Sequence, residues 1–270
     1  MTCPVYREDG VAIEILLIHG YNDTAAIWNP LIQCAEELAH PGSVRFHAIQ
    51  LAKLPGAESL GSAQILEGFC EQVEQAIQLR RHEPGKPWML VGHSMGGAIA
   101  ELVAARGKVP VSALLLLTPA PLAGVPLGAA VMARFQAGYR QRNLERARAS
   151  REAMAVNLSP QGIEPLVRAS FELDPELVHQ QLLAWTGGHR LGAAPSTVSC
   201  GVCLVTTEDL FFKKDMLEGM ASRFERVAVM HIPHAGHWVH VEQTRAVAEV
   251  LMDHVSKSIE APNPGADQAV

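Results

Sequence analysis

Three kinds of side chain, set far apart in the sequence, could together cleave an acyl bond. Ser94 lies in Gly92-His93-Ser94-Met95-Gly96-Gly97, Asp209 in Thr207-Glu208-Asp209-Leu210, and His237 in Ala235-Gly236-His237-Trp238. A serine hydroxyl is a poor nucleophile at neutral pH. It needs a base to take its proton, a carboxylate to orient that base, and N–H donors for the oxyanion that forms. Around Ser94 the pattern is G-x-S-x-G, between an apolar run and a helix-forming stretch from Ala98 to Ala105. Glycines on both sides let a strand and a helix crowd together, and the hydroxyl is pushed out beside the helix N-terminus, where free N–H groups favour an anion. His237 is the candidate base. Asp209 is the candidate orienter, with its neighbour Glu208 as the alternative. The backbone N–H groups of Met95 and of Tyr21, in His19-Gly20-Tyr21, are candidate oxyanion donors. One such donor is typically worth about 3 kcal/mol in the transition state. The order Ser94, Asp209, His237 is the one a G-x-S-x-G site requires. His19 and His93 read as supporting groups rather than second bases.

Two other patterns compete. His231, His234, His237 and His240 recur every third residue, which on a helix would gather metal ligands on one face. Pro233 and Gly236 instead make this a loop, and no carboxylate cluster accompanies it. Cys200 and Cys203 form a C-x-x-C, but the pair leads into a strand-like run and lacks a second ligand pair. No metal and no cofactor is expected.

To bring the three residues together, each must sit at the end of a strand in one sheet. The chain offers such strands at Val11–Ile18, Val44–Leu51, Met89–Val91, Val111–Thr118, Gly201–Thr207 and Val227–Ile232. Helical periodicity separates them at Ala25–Leu38, Gly61–Arg81, from Ala98 to near Gly107, Lys213–Phe224 and Val241–Lys257. Asp9-Gly10 suits a hairpin turn, and His82–Gly85 ends a helix. This alternation predicts an α/β fold: a mostly parallel central sheet with helices on both faces. From 122 to 196 no strand is evident, and helices are expected near 127–155, 160–170 and 174–186. The expected organisation is a core of 1–121 and 197–258, a helical cap of 122–196, and a disordered tail of 259–270.

Composition narrows the partners. The chain has 270 residues, a net charge of −6, 48% hydrophobic residues and 19% charged ones, enough apolar content for a large core. No basic patch suggests nucleic acid, and the run from Arg134 to Arg151 reads as a solvated helix face. No secretory signal or membrane-spanning run is evident. Five cysteines give no disulfide framework, so a cytoplasmic protein with free thiols is expected.

With these residues in view, the sequence resembles the α/β-hydrolase superfamily. The likeness rests on Leu16-Leu17-Ile18-His19-Gly20-Tyr21, on Gly92-His93-Ser94-Met95-Gly96-Gly97, on Asp209 after its strand, and on Ala235-Gly236-His237-Trp238. The elbow is similar to those of capped serine esterases, cofactor-free perhydrolases and carbon–carbon bond hydrolases alike. The stretch from Phe46 to Gly56 departs from the family, which commonly has an aspartate and a glycine-rich turn there. The resemblance implies a serine hydrolase acting through an acyl-enzyme on a small, fairly apolar carboxylic ester. Carbon–carbon hydrolysis or acyl transfer on the same triad, which would want an arginine such as Arg134, Arg140, Arg168 or Arg190, stays open, as does a non-catalytic ligand-binding homologue. Trp28, Leu122, Phe135, Leu183, Trp185, Phe211 and Trp238 are candidates both for the pocket lining and for plain core.

Overall fold

The least polar runs of the chain become the strands. The computed structural model describes residues 13–80 and 88–260. In it β1 (Ile13–Ile18), β2 (Val44–Ile49), β3 (Trp88–His93), β4 (Val111–Leu117), β5 (Gly201–Thr206) and β6 (Val227–His231) form one sheet. Their order is β2-β1-β3-β4-β5-β6, and every neighbouring pair is parallel. Strands β1 and β3 are buried along their whole length, because helices cover both faces.

Alternate side chains of the strands feed two cores. Leu17, Val91 and Leu115 pack with Trp28, with Leu31 of α1 (Asn29–Leu38) and with Leu251 of α10 (Thr244–Glu260). Leu16, Leu90 and Leu116 pack with Phe69 of α2 (Ser62–Leu79) and Ile99 of α3 (Met95–Arg106). Between β4 and β5 lie α4 (Ala129–Gln141), α5 (Leu144–Glu152), α6 (Pro160–Glu172) and α7 (Pro175–Gly187), with no strand. Two short helices, α8 (Lys214–Ala221) and α9 (Val239–Glu242), precede and follow β6.

Some elements differ from the sequence expectation. The helix expected from Ala25 starts as a 3-10 turn, and Thr24 makes no capping bond with its side chain. Pro30, near the start of α1, suits a first turn rather than a helix interior. The single helix expected over 127–155 is two. Arg142 takes φ +49°, and the Asn143 side chain accepts the Arg146 N–H to start α5 afresh. The last helix is likewise split into α9 and α10, and α10 runs to Glu260, past the boundary expected at 258. The Asp9-Gly10 hairpin, the helix end at His82–Gly85 and the tail from 261 lie outside the described residues. Among the described residues no helix is long and apolar enough to cross a membrane.

The register sets where chemistry can occur. Ile18 pairs with Gly92, His93 with Leu117, and Thr206 with His231. The loops after β1, β3, β4, β5 and β6 therefore leave the sheet along one edge. Strand order reverses at β1, and ligands of such sheets bind outside the carboxyl ends beside that reversal.

The turn from β3 to α3 is the tightest place in the fold. A Cβ on Gly92 would lie 2.3 Å from the Gly96 carbonyl oxygen, and one on Gly96 would lie 2.1 Å from the Ile18 carbonyl oxygen. Both obstacles are backbone and cannot rotate away. Gly96→Ala should destabilise the protein by about 3 kcal/mol or more, the upper end of overpacking costs. Urea unfolding measures this, and an unchanged midpoint would contradict the packing described.

Candidate active site

Ser94 is the N-cap of α3 and adopts φ +52°, ψ −121°. For a residue with a side chain this conformation costs of order 1–3 kcal/mol and persists only when its surroundings enforce it. They do so here through three backbone bonds. Ser94 N–H donates to Leu117, and the Ser94 carbonyl accepts from Gly97 and Ala120. Met95 opens α3, so its N–H has no partner within the helix. Gly20 brings the β1 loop against the same turn, since a Cβ there would lie 3.1 Å from the Ser94 Cβ and 2.8 Å from His93 Nδ1. The Gly20–Tyr21 peptide thus runs beside the serine.

Asp209 and His237 meet on the other side. His237 Nδ1 lies 2.7 Å from Asp209 Oδ2, and the two side chains are 7% and 0% exposed. The other oxygen, Asp209 Oδ1, accepts the Phe211 N–H at 2.7 Å. Burial pushes the Asp209 carboxyl up, but the neighbouring imidazole and the Phe211 and Phe212 N–H groups outweigh it, so the group sits below the ordinary range. Glu208 points elsewhere. Its carboxylate accepts the Ala235 N–H and lies 4.0 Å from His231, with its side chain 45% exposed.

The His237 backbone is clamped as firmly as its ring. His93 Nε2 and Thr118 Oγ1 both donate to the His237 carbonyl, at 2.8 and 2.9 Å. Thr118 holds φ +39° to do so, a strained value for a β-branched residue. His93 packs 4.9 Å from the His237 ring and 4.5 Å from His240, which in turn lies 4.4 Å from Trp28. Burial, then the neighbouring imidazoles, pushes His93 well below its ordinary value, and His240 falls to about 3. His19 is buried and also lowered, and its Nε2 accepts the Leu51 N–H. The four histidines that could have shared a metal diverge: His240 is buried, while the His231 side chain is 40% exposed. Among the described residues no three His, Cys, Asp or Glu side chains come together to hold a metal ion.

Ser94, Tyr21 and His237 all border one cavity of about 220 Å³. Phe135, Trp185, Phe211 and Trp238 line it as well. Trp28 and Leu122 are core residues instead, and Leu183 packs against the core. Tyr21, Phe135 and Trp185 pack ring to ring, with centroids 5.7 to 6.2 Å apart. Of the arginines considered from sequence, only Arg134 reaches the cavity; Arg146 and Arg151 of α5 join it there. The run from Arg134 to Arg151, read from the sequence as a solvated helix face, is corrected here: Arg151 is buried, because it turns in to the loop after β1. Its Nη2 lies 2.7 Å from the Asn22 carbonyl and 3.5 Å from Asp23 Oδ1, and its guanidinium sits 4.9 Å over the Trp238 ring. Asp23 also accepts the Trp238 indole N–H at 3.2 Å. No local pattern links Arg151 to Asp23, because only the folded chain makes them neighbours.

A strained serine turn at the carboxyl edge of a parallel sheet thus shares a cavity with His237 of a buried histidine–aspartate pair. The chain belongs to the alpha/beta hydrolase family, which residues 15–250 match. A pimeloyl-[acyl-carrier protein] methyl ester esterase from Aliivibrio salmonicida is 29% identical over 122 residues, 45% of this chain and 42% of that relative. The match therefore spans less than half of the curated relative's length. An esterase from Exiguobacterium antarcticum has a TM-score of 0.77 at 15% identity, covering 92% of this chain and 93% of that one. The 2-hydroxy-6-oxo-6-phenylhexa-2,4-dienoate hydrolase of Rhodococcus sp. strain RHA1 has a TM-score of 0.69 at 20% identity, covering 91% of each chain. These two likenesses show a shared fold.

The buried histidines make stability depend on acid. Burial, and then His237, pushes His240 in the folded state from its ordinary value of about 6.5 down to about 3. Above pH 6.5 both states leave it neutral. Between 6.5 and about 3 only the unfolded state binds the proton, so stability falls as pH falls, by about 4–5 kcal/mol across the window. His240→Phe should therefore shrink the loss between pH 7 and 4.5 by about 2–3 kcal/mol. Urea unfolding at the two pH values checks this, and equal losses in both proteins would refute it.

Proposed function

We propose that this protein is a serine hydrolase that cleaves a small, fairly apolar carboxylic ester through an acyl-enzyme. The observation that carries the reading is the buried 2.7 Å contact between His237 Nδ1 and Asp209 Oδ2, on a cavity that His237 shares with Ser94. With Nδ1 engaged by the carboxylate, Nε2 is the nitrogen left to act as base. His237 takes the Ser94 proton as the hydroxyl attacks the ester carbonyl. Asp209 fixes the tautomer and stabilises the imidazolium. The N–H groups of Met95 and Tyr21 receive the oxyanion. His237 returns its proton to the departing alcohol, then activates water to release the acid.

The helices between β4 and β5 act as the cap in this scheme, since α4, α5, α6 and α7 all contribute residues to the cavity. The aromatic wall favours an apolar acyl or alcohol group. Arg134 and Arg146 at the cavity support a second reading, in which the substrate carries a carboxylate at its far end, as in carbon–carbon hydrolysis of diketone or dienol-type acids. A panel of p-nitrophenyl esters, half-esters of dicarboxylic acids and ring-cleavage acids separates the two. The first reading expects the neutral esters to have the highest kcat/KM.

Ser94→Ala should abolish ester hydrolysis and labelling by a fluorophosphonate probe. Asp209→Asn should lower kcat about 10⁴-fold, as expected when the base loses its orienter. Glu208→Gln should keep near wild-type activity. Wild-type rates in Ser94→Ala, or a folded wild-type protein that the probe never labels, would sink the proposal; the latter result favours a ligand-binding protein.

A further inference from the structure

One carboxylate outside the proposed triad collects four backbone hydrogen bonds. Glu242 Oε2 accepts from the N–H groups of Val156 at 2.7 Å, Asn157 at 2.8 Å and Gly236 at 3.0 Å. Its Oε1 accepts from the Trp238 N–H at 3.2 Å. Gly236 and Trp238 flank His237 on either side. Val156 and Asn157 belong to the stretch that follows α5. Glu242 is 8% exposed, and every bond runs from a neutral donor to one acceptor group. An ionised carboxylate offers only acceptors and makes stronger bonds than a neutral group. An amide of the same shape would set an N–H against at least one of these donors.

The same two stretches are joined at other points. The His237 N–H donates to the Met154 carbonyl at 2.9 Å. A Cβ on Gly236 would lie 2.4 Å from that carbonyl oxygen and 2.8 Å from the Ala155 Cα. Met154 lines the cavity, as do Ser150 and Arg151 one turn earlier. The wall that a substrate touches and the loop that carries the base are therefore one connected piece, with Glu242 at the joint.

We infer that Glu242 is a positioning residue that locks the His237 loop to the cavity wall at the end of α5, so that placement of the base depends on that wall. The inference rests on the reading of His237 as the catalytic base. Loss of the carboxylate frees the loop on both sides of His237 and loosens the wall at the same time. It should then act on turnover for any ester, and on binding only for esters long enough to reach the wall.

The test uses the full chain with p-nitrophenyl acetate, p-nitrophenyl octanoate and the fluorophosphonate probe, with thermal unfolding as a control. Glu242→Gln should lower kcat on the acetate about tenfold to a hundredfold, the usual consequence of a misplaced catalytic group, with KM little changed. The rate of Ser94 labelling should fall by the same factor, and KM for the octanoate should rise. Val156→Pro removes a single wall-side donor and leaves the carboxylate intact. It should raise KM for the octanoate with a small effect on the acetate, and it carries the test if Glu242→Gln does not fold. Glu249→Gln, whose partner Arg245 lies on the exposed face of α10, should behave as wild type. A Glu242→Gln protein with lower thermal stability but unchanged kcat, KM and labelling overturns the inference, as does an unchanged octanoate KM in Val156→Pro. A folded wild type that neither hydrolyses nor labels overturns the serine-hydrolase reading itself, and the inference falls with it.

Discussion

The close approach of α3 to β1 and β3 governs the rest of the molecule. Two peptide backbones come within a distance that leaves no room for a Cβ at Gly96, and Ser94 is forced to φ +52° in consequence. A turn of that shape is stable only if both sheet neighbours are in register, because its bonds go to Leu117 and Ala120 on one side and its steric limit is Ile18 on the other. The position of the serine is thereby tied to the central sheet rather than to any loop. Tyr21 and His237, which border the same cavity, also follow strand ends.

Behind the proposed base, the buried charges are engaged by partners of their own. His93 packs between His237 and His240 with its ring tilted to both, and burial pushes His93 and His240 below their ordinary values. The nearest carboxylate to the His237 ring is Asp209. Of the other buried acids nearby, Asp23 is occupied by Arg151 and the Trp238 indole, and Glu242 by four backbone N–H groups. In a medium of low polarity, one well-placed carboxylate acts more strongly on an imidazole than several distant ones would in water. Neutral rings fill the space without competing for the proton.

Much of this was legible in the sequence. The strands of the core are nearly all-apolar runs, and their alternation with helical patterns admits few arrangements besides a parallel sheet. Ser94 announced itself because its turn needs glycine at fixed offsets, and His237 and Asp209 because each follows such a strand. Helix breaks were harder to read. The interruption at Arg142 comes from a left-handed residue that is not glycine, so its local sign is Asn143, a residue type that starts helices. Arg151, Asp23, Thr118 and Glu242 were invisible for a different reason. Their partners are backbone groups or side chains far along the chain, and neither leaves a local pattern. Glu242 follows His237 by five residues, yet nothing in that spacing distinguishes it from a solvated carboxylate.

The bond from Arg151 to the Asn22 carbonyl, 129 positions away in sequence, has a bearing on how this scaffold can change over time. Insertions between β4 and β5 are free to vary where they touch only solvent or each other. The end of α5 is not free in this way, because it grips the turn after β1. Ser170 of α6 and Gln181 of α7 hold the same turn through Asn22, so α4, whose Tyr139 bonds to His179 of α7, is the helix between β4 and β5 that is freest to change. The seam along which such a graft would succeed runs between α4 and α5.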